Sequence, residues 1–296
     1  MFPMSDSNSN VGIIGLGIMG SAIASHLVAR GNAVIGFDTD PERCQEAKSI
    51  GVSVKDSATE VGIDSKVVLT SLPSVNALNV TVDALLLQPC ESVLLELSTL
   101  PLDAKLASHA QLAEAGIELL DCPLSGTGAQ AVAGDISVYA SGDQVAYESC
   151  LSVVKDFSRV SYYLGALGNG TKMKFVANLL VAIHNVATAE AIVLGIEAGL
   201  DPDTLCEVAG SGAGASRVLD LRGPMMVSEQ YEPASMKLDV WQKDMALIRD
   251  FSESCGVKTP LFSASAPIYD AAIALGHGQR DTAAVRSVLQ NMVHSV

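Results

Sequence analysis

The sequence predicts an open, doubly wound α/β domain followed by an all-helical domain, the two joined by one long helix. Three observations carry this prediction. Short apolar runs alternate with helical patterns up to about residue 163, the β signal nearly stops after Gly165, and a long apolar helical stretch, Thr171–Gly199, follows the change. The boundary is placed at 165/166, giving units of 1–165 and 166–296, and 296 residues are enough for two domains of ordinary size.

In chain order, strand candidates are the run with Val11, Ile13 and Ile14, then Ala33–Phe37, Val52–Val54, Val67–Thr70, Val93–Glu96, Ile117–Asp121, Ile136–Ala140 and Tyr162–Leu164. Helical patterns between them include Ser21–Arg30, Pro41–Ser49, Leu102–Ala115 and Asp143–Lys155. Strands alternating with helices imply a parallel sheet covered on both faces. Beyond the long helix come further helices near Pro202–Ala209, Met236–Cys255, Pro260–Leu275 and Asp281–His294, punctuated by Gly199, Pro202, Pro224 and Pro233.

The first unit opens on Gly15-Leu16-Gly17-Ile18-Met19-Gly20 between an apolar strand and a helical pattern, and the next strand ends at Asp38, 18 residues after Gly20. Gly15 allows the tight turn, Gly17 lets a pyrophosphate approach the backbone, and Gly20 lets helix and strand pack closely. Phosphates then sit on the free N–H groups and positive end of the helix dipole. A carboxylate at Asp38 accepts from ribose hydroxyls. A lone glycine triplet would be weak, but strand, glycines, helix, strand and acid in register predict a Rossmann-type dinucleotide site.

Composition narrows the partners. A net charge of −15 argues against nucleic acid and against an anionic membrane surface. Residues Met1–Asn10 are polar, carry Asp6 and lack the basic and apolar regions of a targeting segment, with Met4 a second candidate initiator, so a cytoplasmic protein is expected. The six cysteines (Cys44, Cys90, Cys122, Cys150, Cys206, Cys255) have no paired spacing and read as reduced, mostly buried thiols. The five histidines are dispersed, so no metal site is expected.

The long helix is apolar on most faces but carries a polar stripe. Lys174 and Asn178 are four apart and share a face, and Asn185, eleven from Lys174, returns to it. A lysine near the start of a buried helix opposes the dipole. That placement suits a lysine that must exchange a proton, since burial, the helix terminus and a cationic nicotinamide all lower its pKa. The alternative is a lysine snorkelling at a domain edge beside Lys172. Loops after strands supply further candidates: Leu72-Pro73-Ser74, Ser98-Thr99, and Ser125-Gly126-Thr127, whose hydroxyls and amides suit a small carboxylate or make an ordinary turn. Lys243-Asp244 by itself reads as a solvated charge pair.

Taken in order, Gly-Leu-Gly-Ile-Met-Gly, Leu72-Pro73, Ser98-Thr99, Asp121-x-Pro-x-Ser-Gly, Gly170-x-x-x-Lys174-x-x-x-Asn178 and Lys243-Asp244 resemble the β-hydroxyacid dehydrogenases, the 3-hydroxyisobutyrate dehydrogenase-like family that includes tartronate semialdehyde reductase. The resemblance spans essentially the whole chain. It implies that Lys174 is the general acid/base, that Ser125 and Gly126 bind the substrate carboxylate, and that Asn178 orients the reacting oxygen or Lys174. It also implies that Thr99, Leu72 and Pro73 line the cofactor while Lys243 reaches toward the nicotinamide end. Two positions depart from the family pattern: Thr127 stands where a second glycine is usual, narrowing the carboxylate loop, and Ala177 stands where many relatives have asparagine.

The expectation is therefore an NAD-dependent oxidoreductase acting on a small β-hydroxy acid in a cleft between the two domains. Asp38 would repel a 2′-phosphate, whereas Arg43 in the following helix keeps NADP as the alternative. Pocket residues are expected around Ser211–Arg217 and Trp241, and a homodimer or homotetramer is expected through the long helix. The other readings are an NADPH-dependent imine or semialdehyde reductase of the same fold, which would tolerate loss of Lys174, and a nonenzymatic dinucleotide-binding protein.

Overall fold

The computed structural model describes residues 10–88 and 91–293; Met4, Asp6, Cys90 and His294 lie outside them. Strand β1 (Val11–Ile14) leads into α1 (Ile18–Ala29), β2 (Val34–Phe37), α2 (Pro41–Ser49), β3 (Ser53–Val54), α3 (Ala58–Asp64), β4 (Val67–Thr70), α4 (Val75–Leu86), β5 (Val93–Glu96), α5 (Leu102–Glu114) and β6 (Glu118–Asp121). These six strands form one parallel sheet in the order β3-β2-β1-β4-β5-β6, which reverses direction between β1 and β4. Successive strand residues point to opposite faces. Ile13, Leu69, Leu95 and Leu120 therefore enter one apolar cluster, and Ile14, Val68, Leu94 and Leu119 another. Both faces are covered, and the strand burial is nearly continuous rather than alternating.

The glycine turn is sterically compelled. Gly15 has φ +93°, and a Cβ there would lie 2.2 Å from the Ser71 carbonyl oxygen; one on Gly20 would lie 1.9 Å from the Gly15 carbonyl oxygen. Helix starts elsewhere follow sequence logic. Asp40, Ser57, Ser74 and Asp143 each accept an N–H in the first turn of the helix they precede.

After β6 the structure departs from a single sheet. Strands β7 (Leu124–Ser125) and β8 (Ser137–Ala140) are joined through α6 (Gly128–Val132), and α7 (Gln144–Phe157) leads to β9 (Val160–Tyr163). They form a separate three-stranded sheet, with β7 antiparallel to β8. The expected strands at 136–140 and 162–164 thus do not extend the main sheet. The two-residue β7 is too short to leave a sequence signal, yet it turns the chain.

Helix α8 (Asn169–Glu197) is followed by α9 (Pro202–Gly210), α10 (Arg217–Ser228), α11 (Leu238–Ser254), α12 (Pro260–Ala272) and α13 (Val285–Val293). Helix α10 was not anticipated because it runs through Pro224, which reads as a breaker. The chain divides into two compact units at Lys174/Phe175, inside α8 and nine residues past the expected boundary. The first turn of α8 hydrogen-bonds to Asp121 and Ser141 of the first unit, which assigns it there. The second unit has its own apolar cluster, including Phe175, Val186, Ile192, Met226, Trp241, Met245 and Tyr269. Among the described residues α8 is the one helix long and apolar enough to cross a membrane. Its buried Thr171, Lys174, Asn178, Asn185 and Thr188 mark it instead as a core helix.

Candidate active site

The carboxyl ends of β1, β4, β5 and β6 gather the predicted loops of the first unit on one edge of the sheet, at the point where strand order reverses. Helix α1 begins just after Gly17 with no acidic residue in its first turn, as an anion site at a helix N-terminus requires. Ser21 Oγ donates to the Leu16 carbonyl and secures the turn. A Cβ on Gly17 would meet nothing closer than Arg43 Nη1 at 3.6 Å, so this backbone is open to a ligand beneath a guanidinium.

Asp38 closes the loop from β2. Its Oδ2 accepts the Leu16 N–H at 2.7 Å and its Oδ1 the Asp40 N–H at 2.9 Å, while Arg43 Nη1 lies 3.6 Å from Oδ2. Glycine loop, helix terminus and fixed carboxylate fit a dinucleotide. Leu72 and Ser98 meet directly, the Leu72 N–H donating to Ser98 Oγ at 2.8 Å, which brings the turns carrying Pro73 and Thr99 together.

The loop after β6 adjoins the glycine turn. A Cβ on Gly128 would lie 2.5 Å from Ile18 Cγ2, and Ile18 is 77% exposed. Gly126 has φ +143° and packs against Ile136, so that position is reserved for glycine. Ser125 is half-buried, and its hydroxyl has no protein partner among the described residues. Thr127 behaves differently from expectation. It caps α6 in a capping box, its N–H donating to Gln130 Oε1 at 3.0 Å and its Oγ1 accepting the Gln130 N–H at 3.4 Å. Both groups expected to bind a carboxylate are already used within the loop.

Beneath these loops lies a buried charge cluster that sequence reasoning missed. Lys105 Nζ contacts Glu96 Oε2 at 2.6 Å and Asp121 Oδ1 at 2.8 Å, and donates to the Ser98 carbonyl at 2.7 Å. Burial alone would depress the Lys105 ammonium, but the Glu96 and Asp121 carboxylates more than reverse this and hold it above its ordinary value. Asp121 also accepts the Thr171 N–H and hydroxyl, each at 2.7 Å, at the start of α8. Lys105 lay within the Leu102–Ala115 pattern, where a lysine normally faces water; its burial has no signal in the sequence.

Lys174 is 8% exposed on α8, and the equally buried Asn178 stands one turn further on. In the second unit Asn178 Nδ2 donates to Asp244 Oδ2 at 2.9 Å. Asp244 is therefore no solvated partner of Lys243: it is 8% exposed, whereas Lys243 reaches out half-exposed, 3.8 Å from the same carboxylate. Two sequence candidates leave the site. Asn185 is fully buried and donates to Tyr269 Oη and the Thr282 carbonyl, a packing role. Trp241, 3% exposed against Tyr269, is core rather than pocket lining. Residues Ser211–Arg217, the loop before α10 and its first residue, are mostly exposed.

Comparison with known proteins places the chain in a family. Residues 10–165 match the NAD binding domain of 6-phosphogluconate dehydrogenase, and residues 168–289 match the NAD-binding family of NADP-dependent 3-hydroxyisobutyrate dehydrogenase. The L-threonate dehydrogenase of Cupriavidus necator is 33% identical over 93% of this chain and 94% of its own. Glyoxylate/succinic semialdehyde reductase 1 of Arabidopsis thaliana is 31% identical over 93% and 96%. Among solved structures, 3-hydroxyisobutyrate dehydrogenase of Mycobacterium tuberculosis with L-serine superposes with a TM-score of 0.85 at 27% identity, covering 95% of this chain and 99% of that one.

Proposed function

The chain belongs to the β-hydroxyacid dehydrogenase family and is an NAD(P)-dependent oxidoreductase; from that premise we propose that it oxidises a small β-hydroxy acid, or reduces the matching carbonyl acid, with Lys174 as general acid/base. The observation that carries the reading is the burial of Lys174 on α8 with Asn178 one turn beyond. A lysine costs free energy to bury, and its amine, once buried, is a group whose protonation can be put to use.

The dinucleotide supplies the hydride acceptor at its nicotinamide, or the donor in the reverse direction. Lys174, in its neutral amine form, takes the hydroxyl proton as the C–H hydride leaves, so the alcohol becomes a carbonyl and the lysine an ammonium. Asn178, oriented by Asp244, holds the reacting oxygen or the lysine amine. The Ser125 hydroxyl and Gly126 amide hold the substrate carboxylate, which fixes the reacting carbon relative to the cofactor. Gly15–Gly20 cradle the pyrophosphate, Asp38 takes the ribose, Leu72, Pro73 and Thr99 line the cofactor, and Lys243 supports its nicotinamide end.

Asp38 favours NAD over NADP. The reading includes a cytoplasmic location and a homodimer or homotetramer built through α8, whose Met173, Val176 and Leu180 side chains are exposed; a monomer by light scattering contradicts the latter. Absorbance at the reduced-nicotinamide band, with NAD⁺ or NADP⁺ and a panel of L-threonate, 3-hydroxyisobutyrate, glycerate, serine and threonine, tests the function. Turnover of at least one panel acid, faster with NAD⁺, is expected. Silence across the panel with cofactor binding intact contradicts the substrate class.

A further inference from the structure

We propose that Thr171, gripped by the buried Asp121–Lys105–Glu96 cluster, is a positioning residue that sets the placement of Lys174. The proposal rests on the reading of Lys174 as the acid/base.

The start of α8 is held by Asp121 at the end of β6 and by Ser141 just after β8. The Gly170 N–H donates to Ser141 Oγ at 2.9 Å, and the Thr171 N–H and hydroxyl both reach Asp121. Thr171, 1% exposed, stands three residues before Lys174, so the two are neighbours across one helical turn. Asp121 is fixed in turn. One oxygen takes Lys105 and the Thr171 hydroxyl, and the other takes the Thr171 N–H and lies 3.3 Å from Ser141 Oγ.

Lys105 donates to Asp121 Oδ1 and to the Ser98 carbonyl, and its ammonium is ion-paired with Glu96 Oε2 at 2.6 Å. Glu96 returns to the Ser98 N–H at 3.0 Å, and Ser98 Oγ takes the Leu72 N–H. One node thus ties the start of the Lys174 helix to both turns expected to line the cofactor. Burying a lysine with two carboxylates is a poor way to gain stability, since apolar side chains of similar volume serve as well or better. What the cluster supplies that apolar packing does not is a fixed direction for each of its partners.

Thr171→Val removes the hydroxyl donor while keeping shape and the backbone N–H, and Thr171→Ser restores the donor. The first readout needs no substrate: the rate at which trinitrobenzenesulfonate modifies Lys174 in the full-length protein, followed by peptide mass spectrometry, with exposed Lys172 as the internal reference. Thr171→Val should change the Lys174 rate relative to Lys172 by about two- to tenfold, the factor carried by one net hydrogen bond, and Thr171→Ser should restore it. An unchanged Lys174 rate overturns the proposal. So does an equal change at Lys172, which would mean that the helix end merely loosens.

The second readout is turnover of a panel acid. Thr171→Val should lower kcat with little change in cofactor KM, and should add nothing in a Lys174→Ala background. A full additional loss in that background overturns the positioning role. Retained turnover in Lys174→Ala instead removes the acid/base assignment itself, whatever the Thr171 variants do.

Discussion

The Leu16 N–H donates to Asp38 Oδ2 at 2.7 Å, so the carboxylate that ends β2 is locked to the glycine loop before any ribose arrives. Arg43 stands over the same loop, 3.6 Å from that carboxylate and half-exposed. On the proposed reading, cofactor choice depends on a buried negative charge held by the loop and a half-exposed positive one beside it. Asp38→Asn keeps an acceptor for Leu16 while removing the charge. It should raise the ratio of kcat/KM for NADP⁺ over NAD⁺ by about tenfold or more, equivalent to about 1.4 kcal/mol. Arg43→Ala in that background should reverse the gain. Steady-state kinetics with both cofactors checks this, and an unmoved ratio contradicts it.

The capping box of Thr127 and Gln130 predicts that Thr127 serves the loop and not the substrate. Thr127→Gly should cost only a few tenths of a kcal/mol, since glycine is a tolerated cap, and should leave substrate KM within about threefold. Ser125→Ala should instead raise substrate KM by about tenfold or more, the loss of a hydrogen bond to a charged group. Thermal melts and steady-state kinetics on the two variants separate these roles.

Asp244 holds Asn178. Asp244→Ala leaves a buried amide donor without its acceptor, which should cost about 1–3 kcal/mol and lower kcat. Asp244→Asn, which can still accept, should fall between that variant and wild type. Equal kcat in all three proteins would remove Asp244 from the site.

Much of this arrangement was legible in the sequence, and the exceptions share a cause. The β1–α1–β2 unit could be read because glycine sterics and an acid at a strand end are local facts, as Gly15, Gly20 and Asp38 illustrate. The second sheet could not, because β7 is two residues long and its pairing with β8 is decided by tertiary contacts. Lys105 lies in a helical pattern without any local mark of burial, and Lys243-Asp244 reads as a solvated charge pair. Only the fold brings Glu96 and Asp121 to Lys105 and Asn178 to Asp244. Asn185 shared a helical face with Lys174 and Asn178, yet it spends its donors on Tyr269 and Thr282, so a common face did not mean a common site.

Asp281 anchors the helical unit. Burial pushes its carboxyl up, but Arg222 and donors from Ser235, Ala283 and Met236 overcome this and hold it below the ordinary value of 3.8. Its contribution to stability is therefore fully present above pH 3.8 and is lost as pH falls through the lower folded value. Asp281→Asn should destabilise by about 3–5 kcal/mol, because Arg222 is left buried without its counter-charge. Urea unfolding near neutral pH and in acid measures both effects, and the difference between variant and wild type should shrink in acid.

Thiol reactivity should follow burial. Burial pushes the Cys150 thiol up to about 11 and the Cys122 thiol well above its ordinary value, with Asp121 adding to the latter. Iodoacetamide on the native protein near neutral pH should label exposed Cys255 while sparing Cys122 and Cys150. Peptide mass spectrometry reads the order, and early labelling of Cys122 would contradict the packing beneath the active-site loops.

The most direct test of the account is kcat of Lys174→Ala against wild type on whichever β-hydroxy acid the panel identifies, with cofactor Kd measured in parallel. The account predicts that kcat falls by about 10²- to 10⁴-fold, the contribution of a positioned acid/base, while cofactor Kd stays within about threefold. Turnover that survives the substitution would contradict the assignment of Lys174 and favour a reductase of the same fold that does not need it.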